Sequence, residues 1–367
     1  MQQLGYIRQI DGIRAIAVMM VVIFHWFAGG MVTQSGMGLM GVDMFFALSG
    51  FLITRILLVY KWNQENGIDP HGRLHLVGRF MYRRALRIFP AYFVLLIILY
   101  NVSYFLPNTL KTDWGWYVTY LQNFLFYIKQ SWAIGKLSPF WTLAVEEQFY
   151  LFWPLVILFV PAKRIGLVIG ILFAAGFMAY HFLPVWLPKK LLVDVLTPTC
   201  LHAFGAGAAL AWIHLNKLEW LGRSNIFLVA GLSLVLISLS GRLYGLALVI
   251  DHRSLVAIGT ACLIAYLLGN SEAFFGRYVL GNPVLVGIGK ISYGIYLYHN
   301  FIPGYLKGIR GWLVKMHPDS GMLPFIPDAG KGVFQFYAVC FTLLFLIAFC
   351  SFKFFEQPLL ALKNKIS

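Results

Sequence analysis

The sequence predicts an all-α, polytopic membrane helical bundle of about ten transmembrane helices, both termini cytoplasmic. Three observations carry that expectation. Hydrophobic residues make up 60% of the 367 positions and charged residues 12%, with a mean hydropathy of +0.75, a balance that leaves a soluble domain no wetted surface. Apolar runs of about 20 residues recur throughout, at 12–32, 41–60, 84–106, 138–160, 164–184, 195–215, 225–244, 253–270, 284–306 and 333–355. Basic residues gather in the turns: Arg8, Lys61, Arg73, Arg79, Arg83 and Arg84 mark one side, and an even number of crossings returns the C-terminus to it. Residues 1–367 therefore read as a single membrane domain. The formal net charge of +15 lies mostly at headgroup level, which explains it without nucleic acid and leaves some of it free to hold an anionic ligand. Cys200, Cys262, Cys340 and Cys350 are far apart and lack metal-ligand spacing, so they read as small core residues and no metal is expected.

The first run, Asp11 to His25, has a basic start like a signal peptide. No cleavage site follows Ala28-Gly-Gly, so it is read as a mature helix. Its three ionisable residues each cost at least ~2.5 kcal/mol at membrane depth. At about 100° per residue, Arg14 and His25 end about 20° apart in azimuth, and Asp11 about 40° from His25, so all three share one side. Arg14 lies about 16 Å below His25 along the axis. In the second run, Asp43 is placed to reach the depth of His25 and fix its imidazole tautomer; the alternative is a helix cap. Ser49-Gly50 reads as a nucleophile or, more simply, as a helix-packing pair.

The third run opens with Arg79-Phe-Met-Tyr-Arg83-Arg84-Ala-Leu-Arg87. Arg83 and Arg87, at i and i+4, share a face and form a fork suited to phosphate, whereas headgroup anchoring is enough to explain Arg79 and Arg84. From 114 to 130, apolar residues at 117, 120, 121, 124, 125 and 128 form a stripe opposite Thr119, Gln122 and Asn123, the pattern of an interfacial helix. The fourth span holds Glu146, Glu147 and Tyr150. Two carboxylates about 100° apart cannot both face lipid, so at least one turns inward, as a reactive group or as a counter-charge to the arginines. In the ninth span, Ser292, Tyr296 and His299 line one face, suited to sugar contact or to interfacial anchoring. Asp194, His202, Asp251, His252 and Glu356 read as headgroup-level groups, and the loop at 307–332, with Pro318, Pro324 and Pro327, as an irregular outer cap.

Five segments in this order resemble the integral-membrane acyltransferase family 3: Ile10 to Ala17 running on to His25, Gly41 to Ile53, Arg83 to Pro90, Trp141 to Tyr150, and Ser292 to His299. The resemblance covers nearly the whole length. It implies a multi-pass protein of the bacterial inner membrane that O-acylates sugars, with acyl-CoA, most simply acetyl-CoA, as a donor reached from the cytoplasm. The acceptor it implies is a carbohydrate, polysaccharide or glycolipid, reached from the other side, and it makes His25 the leading catalytic candidate. Combined with the residue readings, the expected site has His25, Glu146 and Asp43 as catalytic groups, and Arg14, Arg83, Arg84 and Arg87 on the donor. Tyr150, Ser292, Tyr296 and His299 are expected on the substrate. His25 acts either as general base or as a transient acyl carrier. The sequence ends soon after the tenth span without the esterase-like domain of some relatives, so transfer is expected to finish in the membrane domain or on a separate protein. The rival reading is a transporter or flippase of a lipid-linked sugar. Against it, the sequence shows no internal repeat and no interrupted span.

Overall fold

A computed structural model describes residues 5–101, 109–132, 135–189, 191–216, 225–316 and 332–362. The described residues contain no strand. Their α-helices are α1 (Arg8–Trp26), α2 (Gly30–Ser35), α3 (Met37–Glu65), α4 (Arg73–Asn101), α5 (Thr109–Val118), α6 (Gln122–Lys129), α7 (Trp141–Phe159) and α8 (Ile165–Trp186). They continue as α9 (Thr197–Asn216), α10 (Ile226–Tyr244), α11 (His252–Asn270), α12 (Pro283–Lys290), α13 (Ser292–Tyr298), α14 (Ile302–Met316), α15 (Val333–Cys350) and α16 (Gln357–Ala361). Eight helical stretches among the described residues are long and apolar enough to cross a membrane, the make-up of a multi-pass membrane protein.

The expected spans differ from these helices in instructive places. The first helix stops at Trp26 and not near residue 32, because Gly29 (φ 144°) and Gly30 (φ 47°) turn the chain through conformations that side chains resist. The run 195–215 forms the 20-residue α9, but it is not one of the eight. The run 284–306 is not one helix. It is interrupted at Ile291 (φ −96°, ψ 8°) and again after Tyr298, giving α12, α13 and α14. The expectation of uninterrupted spans is therefore corrected. Irregular backbone at this depth is tolerated where it lies inside protein or lines a cavity, and Ser292, Tyr293 and Tyr296 beyond the first break do line one.

The segment 114–130 is two short helices, α5 and α6, joined at Tyr120 (φ 55°). Gln122 and Asn123, expected on a wetted face, are both fully buried. Gln122 Nε2 donates to the Phe140 carbonyl at 2.7 Å, and Asn123 Nδ2 to Thr197 Oγ1 at 3.2 Å. The amides turn inward because the chain ends around α7 and α9 offer acceptors there, while Leu121 and Ile128 face outward.

The long α3 packs against α1, α7, α9 and α11. Its closest approach is to α9, where glycines let the two backbones touch. A Cβ at Gly207 would stand 1.9 Å from the Ala47 carbonyl oxygen, and one at Gly50 2.1 Å from that of Phe204. This is the small-residue contact by which helices associate without a hydrophobic driving force. At the other end of α3, buried Lys61 sends its ammonium to the Leu158 and Val160 carbonyls at 3.1 and 2.7 Å. It thereby satisfies the open C-terminal turn of α7. Gly207→Val should force α3 and α9 apart and cost about 1–3 kcal/mol or more. Thermal unfolding in detergent checks this, and an unchanged midpoint would contradict the close contact.

Candidate active site

Between α1, α3, α4, α7 and α13 lies an open cavity with about 810 Å³ of empty space, open solvent at its mouth included. Arg14, Arg84 and Arg87 line it together with Ser49, Thr142, Glu146, Tyr150, Ser292 and Tyr296. The sequence reading paired Arg83 with Arg87. The structure instead places Arg84 and Arg87 in the cavity, and Arg83 Nη1 donates to the Tyr60 hydroxyl at 2.8 Å. One residue is a rotation of about 100°, enough to move a side chain off a face, and Arg84 and Arg87 at i and i+3 share the one that matters. Arg79 also points elsewhere, to Asp69 at 2.5 Å in the loop before α4. Burial alone would raise the Asp69 carboxyl, but hydrogen bonds from His71 and Arg79 outweigh it and hold the group down at about 2.

Neither Arg84 nor Arg87 has a hydrogen bond or ion pair among the described residues. Arg84 only lies over the rings of Tyr150 and Phe80, at 5.4 and 5.5 Å. Guanidinium groups with unspent donors at a cavity wall have the chemistry to hold an anion. Arg14 is more committed, 3.4 Å from Asp11, whose other oxygen accepts from the Tyr6 hydroxyl. Burial and that bond push the Tyr6 phenol up to about 12. Deeper in, Ser49 Oγ donates to Glu146 Oε1 at 2.8 Å and lies 3.3 Å from the Tyr150 hydroxyl. Ser49 is thus a cavity residue, and its neighbour Gly50 is the one that packs helices. Ser292 Oγ is buried without a partner among the described residues. Glu147 turns away from this wall, and its buried Oε1 is likewise unpartnered among them.

Tyr296 lines the cavity, whereas His299 and His25 do not. The Tyr296 hydroxyl donates to the Pro139 carbonyl at 2.9 Å and lies 2.6 Å from Thr142 Oγ1, which fixes it to the turn before α7. Next to it comes His299, ring centroids 5.7 Å apart, and beyond that His25. His25 is half-buried, with Nδ1 2.9 Å from the Val21 carbonyl oxygen and 3.1 Å from His299 Nε2. His299 was expected to face sugar, but a ring with 0% exposure cannot do so from where it sits.

Asp43 does not hold His25. It takes a bidentate pair from Arg253, Nε to Oδ1 and Oδ2 at 3.0 and 3.1 Å and Nη2 to Oδ1 at 2.8 Å, with both residues 1% exposed. The reason is helical register. Gly41 abuts α1 at Ala17, and Asp43, two residues on, points about 200° away. Glu146 too bonds to Ser49 and not to His25. The three expected catalytic groups therefore occupy three places: a cavity at Glu146, a histidine pair at His25, and an ion pair at Asp43. The sequence reading missed Arg253 and Thr142. An Arg in the first turn of an apolar helix was the one available signal for Arg253.

The profile of acyltransferase family 3, an acyltransferase domain, matches residues 7–349, and the chain belongs to this family of membrane acyltransferases. It is similar to the peptidoglycan O-acetyltransferase OatA of Listeria monocytogenes, 28% identical over 391 aligned positions that cover 96% of this chain and 56% of the relative. It is also similar to the O-acetyltransferase OatA of Staphylococcus aureus, 29% identical over 386 positions covering 96% and 57%. The chain thus spans a little over half the length of these relatives. No solved structure matches it.

Removing one member of a buried ion pair strands the other. Arg253→Met should therefore cost about 3–5 kcal/mol, and the double variant Asp43→Leu with Arg253→Met distinctly less. Chemical denaturation of the four proteins of this cycle gives the comparison. Equal losses in the single and the double variant would contradict the pairing.

Proposed function

We propose that the chain is an O-acyltransferase that carries an acyl group, most simply acetyl, from acyl-CoA to a hydroxyl of a cell-surface or lipid-linked carbohydrate. The cell-wall glycan named for the Listeria relative is the first acceptor to try. The donor is taken from the cytoplasm at the Arg84 end and the carbohydrate is met at the His25 end, in a bacterial cytoplasmic membrane that the chain crosses ten times with both termini inside. The observation that carries this reading is the pair Arg84 and Arg87 on the cavity wall, neither in an ion pair with a carboxylate among the described residues. The pyrophosphate and ribose phosphate of coenzyme A supply the anions that such a pair lacks, with Arg14 beside them.

The pantetheine arm then runs along Phe45, Leu52 and Ile88 on the cavity wall. Glu146, Ser49 and Tyr150 face its amide groups, one set of acceptors and donors against another. To reach His25 the acyl end must pass Tyr296. His25 acts there as general base. The acceptor hydroxyl gives its proton to the imidazole while its oxygen bonds to the acyl carbon, the carbon–sulfur bond breaks, and the proton passes to the departing thiolate to give free coenzyme A.

Arg84→Ala and Arg87→Ala should each raise the KM for acetyl-CoA by about 10- to 100-fold, the loss of one charge-assisted bond of roughly 1.5–3 kcal/mol, while Arg83→Ala stays close to the parent protein. Membranes supplied with labelled acetyl-CoA and glycan measure both label transfer and thiol release. His25→Ala should abolish the transfer. If it left transfer intact, or if Arg84→Ala with Arg87→Ala kept the parental KM, the reading would be wrong.

A further inference from the structure

His299 sits at the end of α13, where the last carbonyls of the interrupted helix lack intrahelical donors. Its Nδ1 lies 2.6 Å from the Tyr296 carbonyl oxygen. A carbonyl only accepts, so this nitrogen carries the proton, and Nε2 of the neutral ring keeps a lone pair. That lone pair faces His25 Nδ1 at 3.1 Å. His25 Nδ1 is also 2.9 Å from the Val21 carbonyl oxygen. With an acceptor on both sides of it, His25 Nδ1 holds the proton. Nε2 of His25 is left bare, with no partner among the described residues.

The apposition of the two rings, with centroids 5.0 Å apart and planes tilted by 45°, is itself braced. The Trp26 indole N–H donates to the His299 carbonyl at 2.9 Å, and the Tyr337 hydroxyl donates to the Trp26 carbonyl at 2.7 Å. Residues adjacent to both histidines are thus tied together and then to α15.

We propose that His299 is a positioning residue for His25: it holds the Nδ1–H tautomer, so that Nε2 is the nitrogen that handles the acceptor's proton. The chemistry rests on the acyl-transfer reading above. When Nε2 accepts the hydroxyl proton, His25 becomes an imidazolium, and its bond to the His299 lone pair becomes charge-assisted. A neutral ring thereby does for His25 what a carboxylate does in a catalytic triad. It takes the place that the sequence reading gave to Asp43. No atom of His299 touches donor or acceptor.

The direct test is nitrogen-15 spectroscopy of the full-length protein carrying ring-labelled histidine, with His25→Ala and His299→Leu used to assign the signals. The expected result is a protonated Nδ1 and a bare Nε2 on both residues; a proton on His299 Nε2 or on His25 Nε2 would overturn the proposal. Kinetics supply the second arm. His299→Leu should lower kcat about 100-fold with the KM for acetyl-CoA changed less than about twofold, in the range seen for general-base catalysis. His299→Gln, whose carbonyl can accept from His25, should recover to within about tenfold of the parent. Equal losses in the two variants would mean that His299 only fills space. If His299→Leu does not fold, the spectrum of the parent protein still decides. The two readings fail separately: a parent protein with the expected protonation that moves no acyl group ends the acyl-transfer reading alone, and active protein with the opposite protonation ends the histidine pairing alone.

Discussion

Lys61, Gln122, Asn123 and Arg253 are all buried, and each points its donor nitrogens at oxygens of the protein, because hydrocarbon supplies none. The same constraint explains why the glycine-lined contact of α3 with α9 matters. Close backbones let short side chains reach across helices and leave little room for water. Against that background the groups without partners stand out. Arg84, Arg87 and the Ser292 hydroxyl, none with a hydrogen-bond partner among the described residues, all belong to one cavity. Polar groups at this depth are costly and are kept where they act, so these three on one wall mark a candidate site.

Tertiary pairing decided what each polar residue does. Asp43 and Arg253 are 210 positions apart and make a single buried unit. His25 and His299, 274 apart, make another. Both units involve residues that local spacing assigned elsewhere, Asp43 to His25 and His299 to sugar. The end of α13 after Tyr298 is what allows the second pairing, because it leaves the Tyr296 carbonyl in an open last turn, where it orients the His299 ring.

Much of the fold was legible because the bilayer imposes a length. Most of the ten apolar runs became helices with ends displaced by a few residues, as with Trp26, where two glycines end the first. Their order and the five motif segments were also sufficient for the family. What stayed illegible had a common cause. Arg83 and Arg84 are adjacent and chemically identical, and only the neighbours of α4 decide which one faces the cavity. Gln122 and Asn123 carry a pattern that fits a wetted face equally well, until Phe140 and Thr197 are seen to lie opposite. Ser49 and Gly50 were read as one packing unit, whereas the helix rotates them to different tasks. Of the expected site, Arg14, Arg84, Arg87, Glu146, Tyr150, Ser292 and Tyr296 share the cavity, while His25 and His299 stand beyond it.

The anchoring of Tyr296 to Pro139 and Thr142 bears on the cell as well as on the reaction. A protein with a charged vestibule on one side of a bilayer and a reactive imidazole further along the same path risks becoming a proton leak. Tyr296 lines the cavity, and the histidine pair, outside that lining, lies next to its ring. A hydrogen-bonded ring held between the two polar groups is placed to resist such a leak.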